Sequence, residues 1–140
     1  MRTVRDAAGN RFVLVKQSSD ASRVRNPETG QEQHVDNEEL TFVDGESPLV
    51  TAASGIDAPI RRLLTAVPND RALGLVVELV DRGPVSIVDL LDSYDLCESD
   101  LHGLLSEFRA AGLVEEATVF GERGYDATDL ARAAVAGLRD

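Results

Sequence analysis

Short apolar runs separated by turn-forming stretches dominate the first 43 residues. DAAGN precedes RFVLVKQ, SSD precedes ASRVRN and PETG precedes QEQHV, and this alternation predicts four strands. The polar turn in VDNEELTFV predicts a fifth strand from Leu40 to Val43. Because such short antiparallel strands must curl to bury one face and protect their edges, we expect a small antiparallel β-barrel over residues 1–45.

The next stretch, DGESPLVTAASGIDAP, is rich in Gly, Ser, Ala and Pro and has little periodicity. It predicts a linker with one turn of helix, and IRRLLTAVP adds a short helix from Ile60 to Val67 that Pro68 ends. The predicted linker covers residues 46–68. In its strand count, and in the tight turn before its last strand, the region that precedes the linker resembles an SH3-like barrel.

The hydrophobic period becomes helical from Asn69 onward. Asn69 or Asp70 caps a first helix whose apolar residues follow the spacing i, i+3, i+4, i+7, and a Gly-Pro pair ends it. Ser86 is a good cap for a short second helix that ends near Tyr94.

A third helix, a hairpin and a closing helix complete the pattern. The third helix starts after Leu96 and ends at Gly112. The alternating stretch LVEEATVF, the turn GERG and the segment YDAT predict a two-stranded hairpin, and a last helix follows from Asp129 to Leu138. Residues 69–140 therefore form a second domain, and the fold class of the whole chain is predicted to be α+β.

The amino-acid composition limits the kinds of partner that the protein is expected to bind. The net charge of -11 argues against a general nucleic-acid binder, because phosphate contacts need clustered Lys and Arg. Of the 14 basic residues only Lys16 is a lysine, and this acidic, arginine-using composition resembles that of proteins from salt-loving archaea. In molar salt the Debye length falls to about 3 Å, so a global negative charge repels DNA far less there than in dilute buffer.

Several classes of protein are not expected. The chain has no apolar run long enough for a membrane span and no signal peptide, so we expect a cytoplasmic protein without membrane association. One cysteine and two histidines provide no internal disulfide and no zinc-finger spacing, so no metal and no cofactor are expected. The sequence also lacks a P-loop and a G-x-S-x-G motif, and we expect no enzyme.

The second domain resembles a known family. The run GPVSIVDLLDSYDLCESDLHGLLSEFRAAGLVEE, followed by FGERGYDATDLARAAV, is similar to the archaeal and bacterial winged helix-turn-helix regulators. The similarity covers about half of the chain, 69–140. It implies a winged helix-turn-helix domain after the small barrel, and a DNA-binding transcriptional regulator of double-stranded DNA that acts as a homodimer, because one domain of this charge contacts too few phosphates.

The resemblance also implies the DNA-contacting residues. Cys97 to Ala111 would be the recognition helix and Glu116 to Asp126 the wing. The residues that would face the major groove are Ser99, Asp100, His102, Gly103, Ser106 and Arg109. Those that would contact phosphate are Ser86, Arg123 and the adjacent pair Arg61 and Arg62.

The candidate recognition helix departs from the family pattern. Members that bind DNA often have a Ser or Thr cap, small polar residues and then Arg, where this chain has Cys97, Asp100 and Gly103. Glu98 and Asp100 suit the positive end of the helix dipole, but they also repel phosphates. The alternative is therefore a winged-helix protein-interaction module without sequence-specific DNA binding.

Each candidate side chain also has a structural interpretation. His102 can be a solvated surface residue, and Arg123 can pair with a neighbouring acid such as Glu122. Cys97 at a helix N-terminus could act as a thiol switch, but a buried or half-buried capping residue is the preferred interpretation. Glu98 and His102 share a helix face, yet two candidate ligands do not complete a metal site.

The N-terminal region offers a third hypothesis. Six basic residues occur in the first 25 positions with only Asp6 and Asp20 opposing them, and they are Arg2, Arg5, Arg11, Lys16, Arg23 and Arg25. This is the one locally positive stretch of an acidic chain. A nucleic acid or a protein partner could therefore bind through the N-terminal barrel rather than through the second domain.

Overall fold

The protein has an α+β fold with two antiparallel sheets. The computed structural model describes residues 1–139, so Asp140, the last residue of the predicted second domain, lies outside the described residues. The chain divides into an N-terminal unit, Met1–Asp57, and a C-terminal unit that begins at Ala58. Each unit has a hydrophobic core of its own.

The N-terminal unit is a five-stranded antiparallel sheet with one helix. The strand order is β4-β3-β2-β1-β5. The strands are β1 (Arg2–Arg5), β2 (Arg11–Lys16), β3 (Ala21–Arg25), β4 (Glu32–Asp36) and β5 (Thr41–Phe42), and the helix is α1 (Pro48–Ala53). The small core on one face of the sheet consists of Val4, Phe12, Leu14 and Val24.

The five predicted strands are present, but the predicted barrel is wrong. The edge strands β4 and β5 do not pair with each other, so the sheet stays open. β5 has only two residues, and α1 packs against β1 and β2. Because α1 covers buried residues such as Thr3 on the face opposite the small core, the sheet need not close on itself to bury both faces.

Helix α1 lies inside the predicted linker and belongs to the N-terminal unit. Ser47 caps the helix by accepting a hydrogen bond from the backbone nitrogen of Leu49, and Pro48 occupies the first turn. Gly55 follows at a close approach, since a Cβ there would lie 1.9 Å from the carbonyl oxygen of Pro27. Residues 46–57 are thus folded onto the sheet rather than free of it.

The C-terminal unit contains five helices and a three-stranded sheet of order β6-β8-β7 among its described residues. The helices are α2 (Ala58–Ala66), α3 (Asp70–Arg82), α4 (Ile87–Ser93), α5 (Glu98–Ala110) and α6 (Asp129–Arg139), and the strands are β6 (Val85–Ser86), β7 (Val114–Val119) and β8 (Glu122–Ala127). A single core joins helices and sheet, and its largest fully buried side chains include Phe108, Leu63, Leu79 and Leu90.

Local capping signals set the helix ends. The Asn69 side chain accepts a hydrogen bond of 2.9 Å from the backbone nitrogen of Ala72 and begins α3. Gly83, with φ of 76°, ends the same helix in a conformation that favours glycine. Of the two predicted caps of α3, Asn69 and Asp70, Asn69 is the cap, and the predicted cap of α4, Ser86, is confirmed.

Gly124 allows the short strand β6 to join the hairpin. Ser86 of β6 pairs with Gly124 of β8, and a Cβ at position 124 would lie 2.3 Å from the carbonyl oxygen of Val85. Only glycine therefore fits at this position. Within residues 1–139, no helix is both long enough and apolar enough to cross a membrane.

Candidate nucleic-acid interface

Helix α5 presents a face of small polar side chains. Leu101, Leu105 and Phe108 are buried at helical spacing against the core, which turns the opposite face outward. The predicted groove-facing residues that are exposed there are Ser99, Asp100, Gly103, Ser106 and Arg109. The structure therefore brings these predicted residues together on one helix.

The first turn of α5 is acidic and has no side-chain cap. Cys97 occupies the N-cap position but makes no capping hydrogen bond, and its Sγ lies 3.4 Å from the Ser99 Oγ. The predicted capping position of Cys97 is confirmed, but its predicted burial is wrong, because the thiol is exposed. The charges of Glu98 and Asp100 compensate the positive end of the helix dipole instead.

His102 is half-exposed on the same helix. Its Nε2 lies 3.7 Å from the Oε1 of Glu98, four residues earlier, so the pair forms an ion pair when the imidazole is protonated. Among the described residues, no group of three His, Cys, Asp or Glu side chains is placed to hold a metal ion.

Glu116 joins the two predicted DNA-contacting arginines. Its Oε1 accepts hydrogen bonds from Nη1 of Arg109 on α5 and from Nη2 of Arg123 on β8, each at 3.1 Å. Glu116 pairs directly with Tyr125 across the hairpin, so Arg123 reaches it diagonally on the same face. The Tyr125 hydroxyl and then Glu116 raise the pKa of the Arg123 guanidinium above its ordinary value.

Ser86, one of the predicted phosphate contacts, caps helix α4. Ser86 is buried, and its Oγ accepts a hydrogen bond of 3.1 Å from the backbone nitrogen of Asp89, which caps α4. Asp89 also accepts a 3.0 Å hydrogen bond from the Arg82 guanidinium. The N-terminus of α4 is therefore closed by side chains of the unit itself.

The basic pair Arg61 and Arg62 precedes α3, and Arg62 contacts the C-terminal end of α5. Arg62 donates a hydrogen bond of 3.2 Å to the carbonyl oxygen of Ala111, just after α5 ends. A cation at a helix C-terminus interacts favourably with the helix dipole. Arg61 is half-buried in α2. The structure thus separates this pair from the N-terminal turn of α5, where bases would be contacted.

Sequence reasoning missed Phe120 at the tip of the hairpin. The strands β7 and β8 are joined by only two residues, Phe120 and Gly121, whose φ angles are 49° and 80°. This is the geometry of a type I′ turn, whose first position favours Asn, Asp or Gly. Phe120 is nevertheless fully exposed. The signal was present in the sequence, since Phe-Gly stands where a two-residue hairpin would favour Asn-Gly.

Comparison with known proteins gives one match. A family model described as "Family of unknown function (DUF7346)" matches residues 1–139. No curated protein matches the chain significantly, and neither does any solved structure.

Proposed function

The chain belongs to DUF7346, a family of unknown function, and we propose that its C-terminal unit is a winged helix-turn-helix domain of a DNA-binding transcriptional regulator. The element order α3-β6-α4-α5-β7-β8-α6 supports this proposal, as does the small antiparallel sheet beside the helices. In this assignment α4 and α5 are the helix-turn-helix, and the β7–β8 hairpin is the wing.

The observation that carries the proposal is the outward face of α5. A helix of 13 residues is about 20 Å long, and the major groove, about 12 Å wide, admits an α-helix. Small side chains such as Ser99, Gly103 and Ser106 let the backbone approach base edges closely. Arg109 and Arg123 lie beside that face and supply the cations that phosphates require.

We propose a homodimer for the same electrostatic reason. Within the described part of the C-terminal unit, few cations lie near α5, and single contacts of this kind hold DNA weakly at physiological salt. Two recognition helices that contact half-sites one helical turn apart double the number of phosphate contacts. A cytoplasmic regulator of a salt-loving archaeon is consistent with the arginine-rich, acidic composition.

A pool of genomic DNA fragments tests the proposal. Binding is measured across a series of potassium chloride concentrations for the wild type and for Arg123→Ala and His102→Ala. We expect a few fragments to be retained at high salt and released by these substitutions. Arg139→Ala is the control, because it removes a cation of α6 that pairs with Asp81 of α3 and not with a residue of α5 or the hairpin. Fragments retained equally by all variants would contradict the proposed interface.

Glu116→Gln is a second test, in which the substitution should raise the affinity for DNA rather than lower it. The substitution removes the carboxylate that Arg109 and Arg123 share, so both guanidinium groups become available to phosphates. Exposed ion pairs contribute about 0.2 to 1 kcal/mol, so we expect affinity for the preferred fragments to rise about two- to fivefold. An unchanged affinity would indicate that neither arginine contacts DNA.

A second candidate function is a protein-interaction module, and two observations favour it. Glu116 already pairs with Arg109 on α5 and with Arg123 on β8, and its carboxylate offsets part of their positive charge. Phe120 and the half-exposed Val88 line a groove together with carboxylates, and no Lys or Arg lies along it. An exposed aromatic ring beside apolar and acidic neighbours is typical of an anchor for a protein partner. If no fragment is preferred at any salt concentration, this function replaces the first.

A further inference from the structure

The sheet of the N-terminal unit gathers cations from three strands on one face. Residues paired across antiparallel strands point to the same side of a sheet. Lys16 pairs with Arg23, and Arg23 pairs with His34 on the next strand. Arg25, two residues after Arg23, lies on this side as well and pairs with Glu32. A β-bulge between Leu14 and Lys16 shifts the lysine onto this side.

The register extends the same face to the first strand. Arg25 also pairs with Val13 on β2, which places Val13 and, two residues before it, Arg11 on this side. Arg11 pairs with Arg5 of β1. We call this side, with Arg5, Arg11, Lys16, Arg23 and Arg25, the basic face. Helix α1 covers part of this side at Thr3 and Val13, so the proposed surface consists of the exposed cations beside the helix.

The residues on the other face of the sheet independently support this division of the strand residues between the two faces. Val4, Leu14 and Val24 alternate with the basic residues and form the buried core on that side. Arg2 pairs with Leu14 and so belongs to the core side, where it lies over the Phe42 ring and pairs with Asp44. Five of the six basic residues of the N-terminal stretch are therefore on one face and Arg2 is on the other.

Few carboxylates oppose the basic face. Glu32 pairs with Arg23 at 3.4 Å and with Arg25 at 3.0 Å, and Glu46 pairs with Arg11 at 2.9 Å. Asp36, at the end of β4, is the third carboxylate on this side of the strands. Within residues 1–139, the side chains of Arg5 and Lys16 have no ion-pair or hydrogen-bond partner, and the cations outnumber the carboxylates.

We propose that the basic face binds the phosphate backbone of duplex DNA. The paired arginines remain about half-exposed, and exposed ion pairs contribute less than about 1 kcal/mol, so phosphates can compete with Glu32 and Glu46. Guanidinium groups suit this exchange, because they bind phosphate in bidentate geometry. The contact reads no base and lies outside α5 and the wing, so it does not depend on the proposed recognition helix.

The side chains of the strands favour a nucleic acid over a protein. A protein interface needs apolar or aromatic anchors near its centre. The exposed strand residues on the basic face are charged or polar, while the apolar Val13 is buried. A protein partner would have to use Leu49 and Val50, which are exposed on α1. These two positions separate the two kinds of partner experimentally.

Salt dependence of binding to a mixed-sequence duplex tests the proposal. For the full chain, the logarithm of the association constant falls with the logarithm of salt concentration by about 0.9 per phosphate contact. We expect Lys16→Ala combined with Arg23→Ala to make this slope shallower by about two units. Arg2→Ala, a cation removed from the other face of the same sheet, should leave the slope unchanged. Glu32→Gln should tighten binding, because it frees Arg23 and Arg25.

Three results would overturn the inference. They are a slope in the double variant equal to that of the wild type, no binding of duplex DNA by the wild type at any salt, and equal competition by a polyglutamate peptide of matched charge. A loss of duplex binding in Leu49→Ser but not in the double variant would also overturn it, because the DNA contact would then lie on α1 and not on the strand cations. Non-preferential binding that depends on Lys16 and Arg23 supports the basic face even if the proposed recognition helix fails.

Discussion

The hydroxyl groups of Thr3 and Thr51 lie 2.7 Å apart in a buried hydrogen bond that connects β1 to α1 across 48 residues of sequence. Both side chains are almost completely buried. One hydroxyl donates to the other, and the accepting hydroxyl is left free to donate to a backbone oxygen, either from Thr51 to that of Ser47 at 3.2 Å or from Thr3 to that of Glu46 at 3.3 Å. This polar contact between helix and sheet holds the segment that the sequence assigns to a linker.

Replacing these threonines by valine should reveal the coupling between them. Each single substitution leaves one buried hydroxyl without its main partner, so we expect Thr3→Val and Thr51→Val each to lower the free energy of unfolding by about 1 to 2 kcal/mol. The double variant should lose about 1 kcal/mol less than the sum, because no unpaired hydroxyl remains. Urea unfolding of the four proteins measures this, and strict additivity would contradict the contact.

Phe120→Asn should stabilise the protein. A left-handed backbone conformation costs an ordinary L-residue about 1 to 2 kcal/mol, and Asn adopts it with much less strain. We therefore expect the free energy of unfolding to rise by about 1 kcal/mol. Phe120→Ala serves as the control, because it removes the ring and keeps the strained φ of 49°. If Ala stabilises the protein as much as Asn does, exposure of the ring and not backbone strain is the cause.

Replacing Gly124 by alanine should lower the stability of the protein, whereas replacing Gly74 by alanine should raise it. Gly124→Ala would place a Cβ 2.3 Å from the Val85 carbonyl oxygen, so β6 must move, and we expect a loss of about 2 to 3 kcal/mol or more. Gly74→Ala, inside α3, meets no atom within 4 Å and should stabilise the helix by up to about 1 kcal/mol. Thermal unfolding compares the two, and similar effects of both substitutions would be inconsistent with the close approach at Gly124.

The stabilisation that the ion pair between α6 and α3 contributes should be lost at acid pH. Arg139 donates hydrogen bonds of 2.9 and 2.8 Å to the two carboxylate oxygens of Asp81, and this contact lowers the pKa of Asp81. Because the folded pKa lies below the unfolded value of about 3.9, the stabilisation is present at neutral pH and is lost as the pH falls through the folded pKa.

Arg139→Ala tests this dependence. The difference in unfolding free energy between wild type and variant should stay constant from neutral pH down to about pH 5 and then shrink toward zero in acid. Urea unfolding at a series of pH values provides the measurement. A difference that persists at the acid end would mean that Arg139 stabilises the protein through packing and not through the Asp81 carboxylate.

The sequence predicts the C-terminal helices well because their ends are local signals. Asn69 and Ser86 cap helices through contacts three residues away, and Gly83 ends α3 through its own backbone conformation. Such contacts need no information from distant parts of the chain. The hairpin is also predicted, because its alternating residues are adjacent in sequence, but the predicted turn at residues 121–124 is wrong. The turn consists of Phe120 and Gly121, and β8 begins at Glu122.

The errors concern contacts between distant residues. Whether five strands close into a barrel depends on what covers the second face, and that is decided by Thr51 meeting Thr3 across 48 residues. The partner of Arg123 could not be predicted either, because the hairpin register selects Glu116 rather than the adjacent Glu122. The basic residues were visible in the sequence, but only the strand register shows that five of them share a face.

The two-residue turn at Phe120 and Gly121 fixes the register in which β7 and β8 pair. Every residue of β7 has a partner on β8, from Val119 with Glu122 to Val114 with Ala127. A single inserted residue in either strand would rotate all positions beyond it to the opposite side. Arg123 would then point away from Glu116. Variation among related chains that preserves this contact must therefore change both strands by the same number of residues on the turn side, so that Glu116 stays opposite Tyr125.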